Sequence, residues 1–344
     1  MELQLKNIGM IKEANVAIDG LTVIAGENDT GKSTAGKALF LALTIIKRVS
    51  SLNGKTTMQD TQNILSCTKI FDVDILFGKN IEYLEKVAIN MIIDGKSINP
   101  MLSFGIKKVS SNMIMNEIEN INSIPDTIFI ETPIIWSLLD TFRSVSQIGQ
   151  QVGIEVNHPY LMNDLAIKLS NSSTVKSVID IADKAKKIMQ GDFKKDDSGT
   201  FFFEKNKTRI ELINTATGIK YFGMLQILAD NGWFSEDNVI ILDEPEVHLH
   251  PKWQLEMAKI IVELVKNGVK VLVNSHSPYM IEALQRYSEL ENVTSDFYLA
   301  EDGYIKKEND SNSETLVAIY EKLSEPYDIF EEMDSKRMEK LING

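Results

Sequence analysis

Apolar residues recur along this chain of 344 residues in two rhythms. Short unbroken runs of aliphatic and β-branched residues, at 21–25, 127–131, 239–242 and 269–274, read as strands buried on both faces. Between them apolar positions repeat every three or four residues. Ala35, Ala38, Leu39, Ala42, Ile45 and Ile46 mark one face of a helix reaching about Lys47, and further helices are expected at 219–231 and 252–266. Buried strands alternating with helices predict an α/β fold, with a mostly parallel sheet covered on both sides. Two more strands, at 2–8 and 11–18, flank a turn at Gly9 and add an N-terminal antiparallel element.

The remaining segments interrupt this rhythm. Residues 51–126 are irregular and polar, with strand-like alternation at 86–93 and a turn at Asp94 and Gly95. Residues 133–189 are mostly helical in pattern, with Val175, Val178, Ile179, Ile181, Ala182 and Ala185 on one face. A charged turn is expected at 190–199, then a strand at 201–213 that leads into a helix start near Gly218. The expected organisation is a discontinuous core of residues 1–50 and 200–344 that includes the strand 127–131. An irregular insertion at 51–126 and a helical subdomain at 132–199 interrupt it. No internal repeat and no long heptad array is present.

Composition narrows the class. With 43% hydrophobic residues, the chain can bury a large core. It lacks the ~20 uninterrupted apolar residues of a membrane helix, and MELQLKNIGM does not read as a signal peptide, so a cytoplasmic location and no membrane contact are expected. The single cysteine, Cys67, reads as a small packing residue. A formal net charge of -13 argues against general affinity for nucleic acid; Lys184, Lys186, Lys187, Lys194 and Lys195 form the one candidate basic patch.

Candidate chemistry concentrates in two segments. GENDTGKST, from Gly26 to Thr34, fits the phosphate-binding pattern of Gly26, Gly31, Lys32 and Ser33, and it stands between a predicted strand and a predicted helix. That order aims backbone N–H groups and the positive end of the helix dipole at one point, where an anion fits. Gly26, Glu27, Asn28, Asp29, Thr30, Gly31, Lys32, Ser33 and Thr34 are the expected nucleotide contacts. Lys32 would neutralise the β and γ phosphates, and the Ser33 hydroxyl would ligate a bridging Mg2+. VIILDEPEVHLHP then places Asp243 and Glu244 at the carboxyl end of a strand, where open α/β sheets bind ligands. Asp243 suits the magnesium, and Glu244 is free to orient or deprotonate the attacking water. His276 ends another strand, where an imidazole could reach a γ-phosphate. His248 and His250, beside Glu246, form a short cluster that could suggest a metal site, while His158 and the three tryptophans read as packing residues.

Together these motifs resemble the ABC-type ATPase heads of the P-loop NTPases, and within them the bacterial branch related to the OLD family and to the ATPase subunits of antiphage systems such as Septu. The motifs follow in family order: GENDTGKST as Walker A, NTATGIK as a degenerate signature, VIILDEPE as Walker B, EVHLHP as the D-loop and NSHSP as the switch-histidine loop. HLHP is typical of the branch, which removes the metal reading. The resemblance implies ATP hydrolysis with Mg2+, catalytic roles for Lys32, Glu244 and His276, and a head-to-tail homodimer with ATP between Walker A of one copy and Thr217 and Gly218 of the other.

The signature is not that of transporters, and the 68 residues after His276 lack the paired acidic motifs of the TOPRIM nuclease that follows OLD heads. No residue is assigned to the family's Q-loop; Gln147, Gln150 and Gln151 are merely near. The implied function is an ATPase that regulates or scaffolds a separate effector, such as a nuclease in phage defence. The acidic segment 313–333 is a candidate docking surface. The competing expectation is a nucleotide-gated DNA-binding protein resembling a shortened SMC or RecF head.

Overall fold

A computed structural model describes residues 1–50, 88–98, 123–139, 141, 144, 160–173 and 180–343. Most of the 51–126 segment lies outside these residues, as do Lys86, Cys67, His158, Val175, Val178, Ile179, Gln147, Gln150 and Gln151. Strands β1 (Glu2–Ile8), β2 (Ile11–Ala17) and β3 (Leu21–Ala25) precede helix α1 (Lys32–Ser50), matching the periodicity to within a few residues. Next come β4 (Ala88–Ile93), β5 (Lys96–Ile98), β6 (Asp126–Ile130), α2 (Tyr160–Ser170) and α3 (Ile181–Met189). Strands β7 (Asp192–Lys195), β8 (Phe201–Lys205) and β9 (Thr208–Glu211) form a separate small antiparallel sheet. The chain continues through α4 (Thr217–Asp230), β10 (Asn238–Asp243), α5 (Pro251–Lys266), β11 (Lys270–Ser275), α6 (Pro278–Glu291), β12 (Ser295–Glu301), β13 (Tyr304–Lys306) and α7 (Asn312–Asn343).

The large sheet has ten strands in the order β5-β4-β1-β2-β13-β12-β3-β11-β10-β6. From β12 to β6 all pairings are parallel, and β13 runs parallel to β2. The pairings β1 with β2, β1 with β4, β4 with β5 and β12 with β13 are antiparallel. This is the expected α/β architecture: a mostly parallel sheet with N-terminal antiparallel strands.

Alternation within each parallel strand explains why those runs are largely apolar. Val23, Ile128, Ile130, Ile240, Leu242, Val271 and Val273 point to one core, shared with α4, α5 and α6. Their neighbours Ile24, Phe129, Val239, Ile241 and Leu272 point to the other, shared with α1, β1, β2 and β4. Because side chains alternate across a strand, a run buried on both sides is mostly apolar, and polar members such as Thr22, Asp243 and Asn274 are buried as well. At Gly36 helix α1 comes close to the sheet: an added Cβ would lie 3.0 Å from Asn274 Nδ2 and 3.2 Å from the Phe129 ring.

Two expectations need correction. The strand expected at 201–213 is not one strand but the β8–β9 hairpin, reversed at Asn206 and Lys207 with φ of 51° and 64°, then a 3-10 turn at Leu212–Asn214. The second turn residue is lysine, not the glycine that normally signals such a hairpin, so the reversal was hidden. The charged turn at 190–199 contains β7, whose residues Asp192–Lys195 become a strand by pairing with β8. Lys194 and Lys195 make that segment polar locally; only the partner strand supplies the reason to extend.

The small sheet braces α4. Phe193 and Phe201 lie 5.3 and 5.0 Å from Trp136, centroid to centroid, and Phe203 is 5.4 Å from Phe193. Trp136 Nε1 donates to the Lys220 carbonyl at 2.8 Å. A Cβ at Gly223 would stand 2.4 Å from the Phe193 ring, so glycine is required for this approach. Three of the five patch lysines meet carboxylates: Lys184 with Glu263 at 3.0 Å, Lys186 with Asp192 at 3.6 Å, and Lys194 with Glu204. In α7 the side chains of Thr315, Leu316 and Ile319 are buried, while Ile329, Met333, Met338 and Leu341 are exposed. Among the described residues, no helix is long and apolar enough to cross a membrane.

Candidate functional site

β3, β10 and β11 are parallel neighbours, so their carboxyl ends open on one edge of the sheet. Residues 26–31 leave β3 there. Gly26 has a φ of 156°, and a Cβ on it would lie 2.3 Å from the Ala300 carbonyl oxygen; Gly31 has a φ of 94°, and its Cβ would lie 2.7 Å from Ile11. The loop is therefore seated against β12 and β2 where only glycine fits. Glu27, Asn28 and Asp29 are exposed, Asp29 with a φ of 62°, and the Thr30 hydroxyl donates to the Glu27 carbonyl at 2.9 Å. Lys32 to Thr34 form the first turn of α1, which carries no acidic residue, so its positive end is not neutralised locally.

Lys32 is buried, and its ammonium donates to the carbonyls of Gly26, at 2.9 Å, and Glu27. Burial lowers its pKa, while Glu244, Asp243, Glu246 and Glu27 act the other way. The ammonium is held by its own loop, at the position where a phosphate would exchange for those carbonyls.

At the end of β10, Asp243 is 5% exposed and accepts a 2.7 Å hydrogen bond from Asn274 Nδ2. Burial raises its pKa; hydrogen bonds from Asn274 and Ser33 oppose the shift. Glu244 has a φ of 50°, a left-handed conformation that costs a non-glycine residue on the order of 1–2 kcal/mol. Its backbone N–H donates to the Asn274 carbonyl at 2.9 Å, and its Oε1 lies 3.1 Å from His276 Nδ1. The strained turn thus brings the acid of one strand end to the histidine of the next. Lys32, Ser33, Asp243, Glu244 and His276 converge at one sheet edge.

Ser33, Asp243 and Glu244 also line a cavity of about 300 Å³ with Glu131, Thr132, Pro133, Tyr221, Val247 and His248. Its hydroxyl and carboxylate oxygens are hard donors of the kind Mg2+ takes. Glu131, at the end of β6, was given no role by sequence reading, yet it reaches this cavity and pairs with Lys37 at 3.5 Å. The signal for it was the register of a neighbouring parallel strand, β6 beside β10. Glu246 and Asn274 were also missed. Of the two histidines of the His cluster, His248 lines the cavity, and His250 has a structural role: its Nδ1 accepts from the Lys252 N–H at 3.2 Å and caps α5, with Pro251 at its first turn.

Thr217 and Gly218 do not join this cluster through any recorded bond. Thr217 is exposed at the start of α4, whose capping residue Ala216 offers no side-chain acceptor. Gly218 faces inward, where a Cβ would be 3.1 Å from Leu249 and 3.3 Å from the Trp253 ring.

A phosphate loop feeding a helix, with acidic and histidine residues at adjoining parallel strand ends, is the arrangement of a P-loop ATPase fold. A family model described as an AAA ATPase domain matches residues 106–281, and the chain belongs to that family. The match takes in Asp243, Glu244 and His276 and ends before reaching back to the phosphate loop. The chain is similar to the Septu protein PtuA of Bacillus thuringiensis, 34% identical over 47 residues, which are 14% of this chain and 12% of that protein. Among solved structures it is similar to an Smc head bound to the C-winged helix domain of ScpA, at 15% identity and TM-score 0.46, covering 89% of this chain and 95% of that one. It is also similar to an ATP-binding cassette of an ABC transporter in the ADP conformation, at 12% identity and TM-score 0.38, covering 95% and 96%.

Proposed function

We propose that this chain hydrolyses ATP with Mg2+ as a nucleotide-sandwiched homodimer and that its ATP cycle regulates or scaffolds a separate effector, a nuclease among the candidates, in antiphage defence. The observation that carries the ATPase reading is the convergence of Lys32, Ser33, Asp243, Glu244 and His276 on one sheet edge. The defence role is supported by the likeness to the Septu protein. In this reading the core comprises 1–50, 127–131 and 200–344, interrupted by 51–126 and 132–199; β7 pairs with β8 across the last junction.

The phosphates lie over residues 26–34, where the backbone N–H groups and the start of α1 supply positive potential and Lys32 exchanges its carbonyl partners for phosphate oxygens. Ser33 and Asp243 would hold Mg2+, with Glu131 lining the same cavity. When bound, the ion neutralises charge on the β and γ phosphates. Glu244 orients the attacking water and accepts its proton, and the His276 imidazole, 3.1 Å from Glu244, holds that carboxylate in place. The outer face of the γ-phosphate is met by Thr217 and the uncapped start of α4 in a second copy. Nucleotide thereby becomes part of the dimer interface, and hydrolysis weakens it.

Glu244→Gln tests the proposal. The amide keeps the shape but accepts no proton, so turnover should fall by about 10²–10⁴ while nucleotide still binds. The variant should gain mass with ATP in light scattering. Unchanged turnover sinks the assignment of Glu244, and a mass that ignores ATP sinks the sandwich.

A further inference from the structure

We infer that Glu246 is a positioning residue for the ATPase reaction: one of its carboxylate oxygens clamps the segment that carries His276, and the clamp requires an oxygen acceptor rather than a negative charge. The inference rests on the proposed ATP hydrolysis.

Three consecutive residues, the last of β11 and the two that precede α6, converge on Glu246 Oε1. The Ser275 hydroxyl donates to it at 2.6 Å, the His276 N–H at 3.0 Å and the Ser277 N–H at 3.2 Å. The side chain is 3% exposed, and the His276 imidazole lies between the two acids, its Nδ1 3.1 Å from Glu244 and 3.8 Å from Glu246. A second link runs beside the first: Ser277 Oγ donates to Gln254 Oε1 at 2.8 Å, and Gln254 Nε2 donates to the Leu249 carbonyl at 3.2 Å. The segments leaving β10 and β11 are therefore fastened twice, and the imidazole that orients Glu244 hangs from the fastened part.

The other oxygen separates acceptor from charge. Glu246 Oε2 is buried and has no hydrogen-bond partner, so all of the clamp passes through Oε1. An ionised carboxylate with an idle buried oxygen is costly, and burial does raise the proton affinity of this group. The Tyr221 hydroxyl is also buried and unpartnered, and the charge on Glu246 contributes to raising its pKa, which puts the two within electrostatic reach. An amide at 246 would keep the acceptor and place an N–H group where the idle oxygen stands. The same substitution thus has opposite consequences two residues apart: at Glu244 it removes a proton acceptor, and at Glu246 it preserves the clamp.

The test compares the full chain as wild type, Glu246→Gln, Glu246→Ala and Glu244→Gln, by phosphate release, ATP titration and hydrogen exchange over residues 270–284. Glu246→Gln should keep kcat within about threefold and retain the slow exchange of the His276 and Ser277 amides. Glu246→Ala should lower kcat by at least about thirtyfold, shift KM by less than about threefold, and lose that protection. Loss of turnover in Glu246→Gln as deep as in Glu244→Gln would overturn the inference, as would wild-type kcat in Glu246→Ala. If the alanine variant does not fold, the glutamine variant decides alone. If wild type releases no phosphate, the proposed function fails, while exchange at His276 and Ser277 in Glu246→Gln against Glu246→Ala still decides whether the clamp exists.

Discussion

The loops at the carboxyl ends of β3, β10 and β11 and the small β7–β9 sheet handle charge in opposite ways. At the strand ends, Lys32, Asp243 and Glu246 are buried, and the oxygens Tyr221 Oη, Glu246 Oε2 and Asn274 Oδ1 lack partners. In the small sheet, Lys194 meets Glu204, while Arg209 reaches Asp196 at 3.0 Å and Glu211 at 2.7 Å, on a solvated surface over packed phenylalanines. Exposed pairs of that kind add little to stability, and the aromatic core beneath them does the holding. Buried charge with incomplete partners is what folding alone would remove. Its retention at one sheet edge supports the proposal that a nucleotide completes the electrostatics there.

Lys32→Ala challenges the contrast most strongly. It should weaken ATP binding by about 100-fold or more, since the ammonium is the cation at the phosphate loop, and calorimetric titration would register the loss. Unchanged affinity would dissolve the distinction between the two regions. Phe203→Ala, in the small sheet, should cost about 3–5 kcal/mol of stability by chemical denaturation and leave ATP affinity of the folded protein unaltered. A matching loss of affinity would mean that the aromatic brace of α4 belongs to the nucleotide site.

The subtlest difference is the sign of the pH dependence. Burial raises the Glu246 pKa, so between the unfolded value of 4.5 and the folded one the native state holds more protons, and stability falls as pH rises through that window. Asp196 is lowered from 3.8 to about 2, first by the Ser198 hydroxyl, then by the Thr200 N–H; its contribution is present above 3.8 and is lost as pH falls toward 2. Relative to wild type, Glu246→Gln should therefore gain stability as pH rises above 4.5. Asp196→Asn should lose a little at pH 7 and nothing at the acid limit. Denaturation midpoints across pH would expose any reversal of these signs.

Legibility followed the range of the interactions. The elements from β1 to α1, and those from β10 to β11, could be read closely from periodicity: β3, β10 and β11 are runs buried on both faces, while β1, β2 and the helices repeat their buried positions on one face. The phosphate loop was legible because a backbone cradle requires glycine where a side chain would collide. Glu131, Glu246 and Asn274 were not legible as site residues: each acts across neighbouring strands, and no local spacing encodes which strands adjoin. β7 escaped for a related reason, since a polar four-residue strand exists only through its partner.

The sequence by itself determined the α/β pattern, the glycine loop before a helix, and the presence of Asp243, Glu244 and His276 at strand ends, all of which depend on contacts within a few residues. Tertiary structure alone decided that β3, β10 and β11 adjoin, that His276 lies 3.1 Å from Glu244, and that one oxygen of Glu246 gathers three donors from another segment. The contacts of His276 and Glu246 join segments about thirty residues apart, and β3 pairs with β11 across 250. They are set when sheet register and the two cores close together, and no shorter piece of the chain contains them.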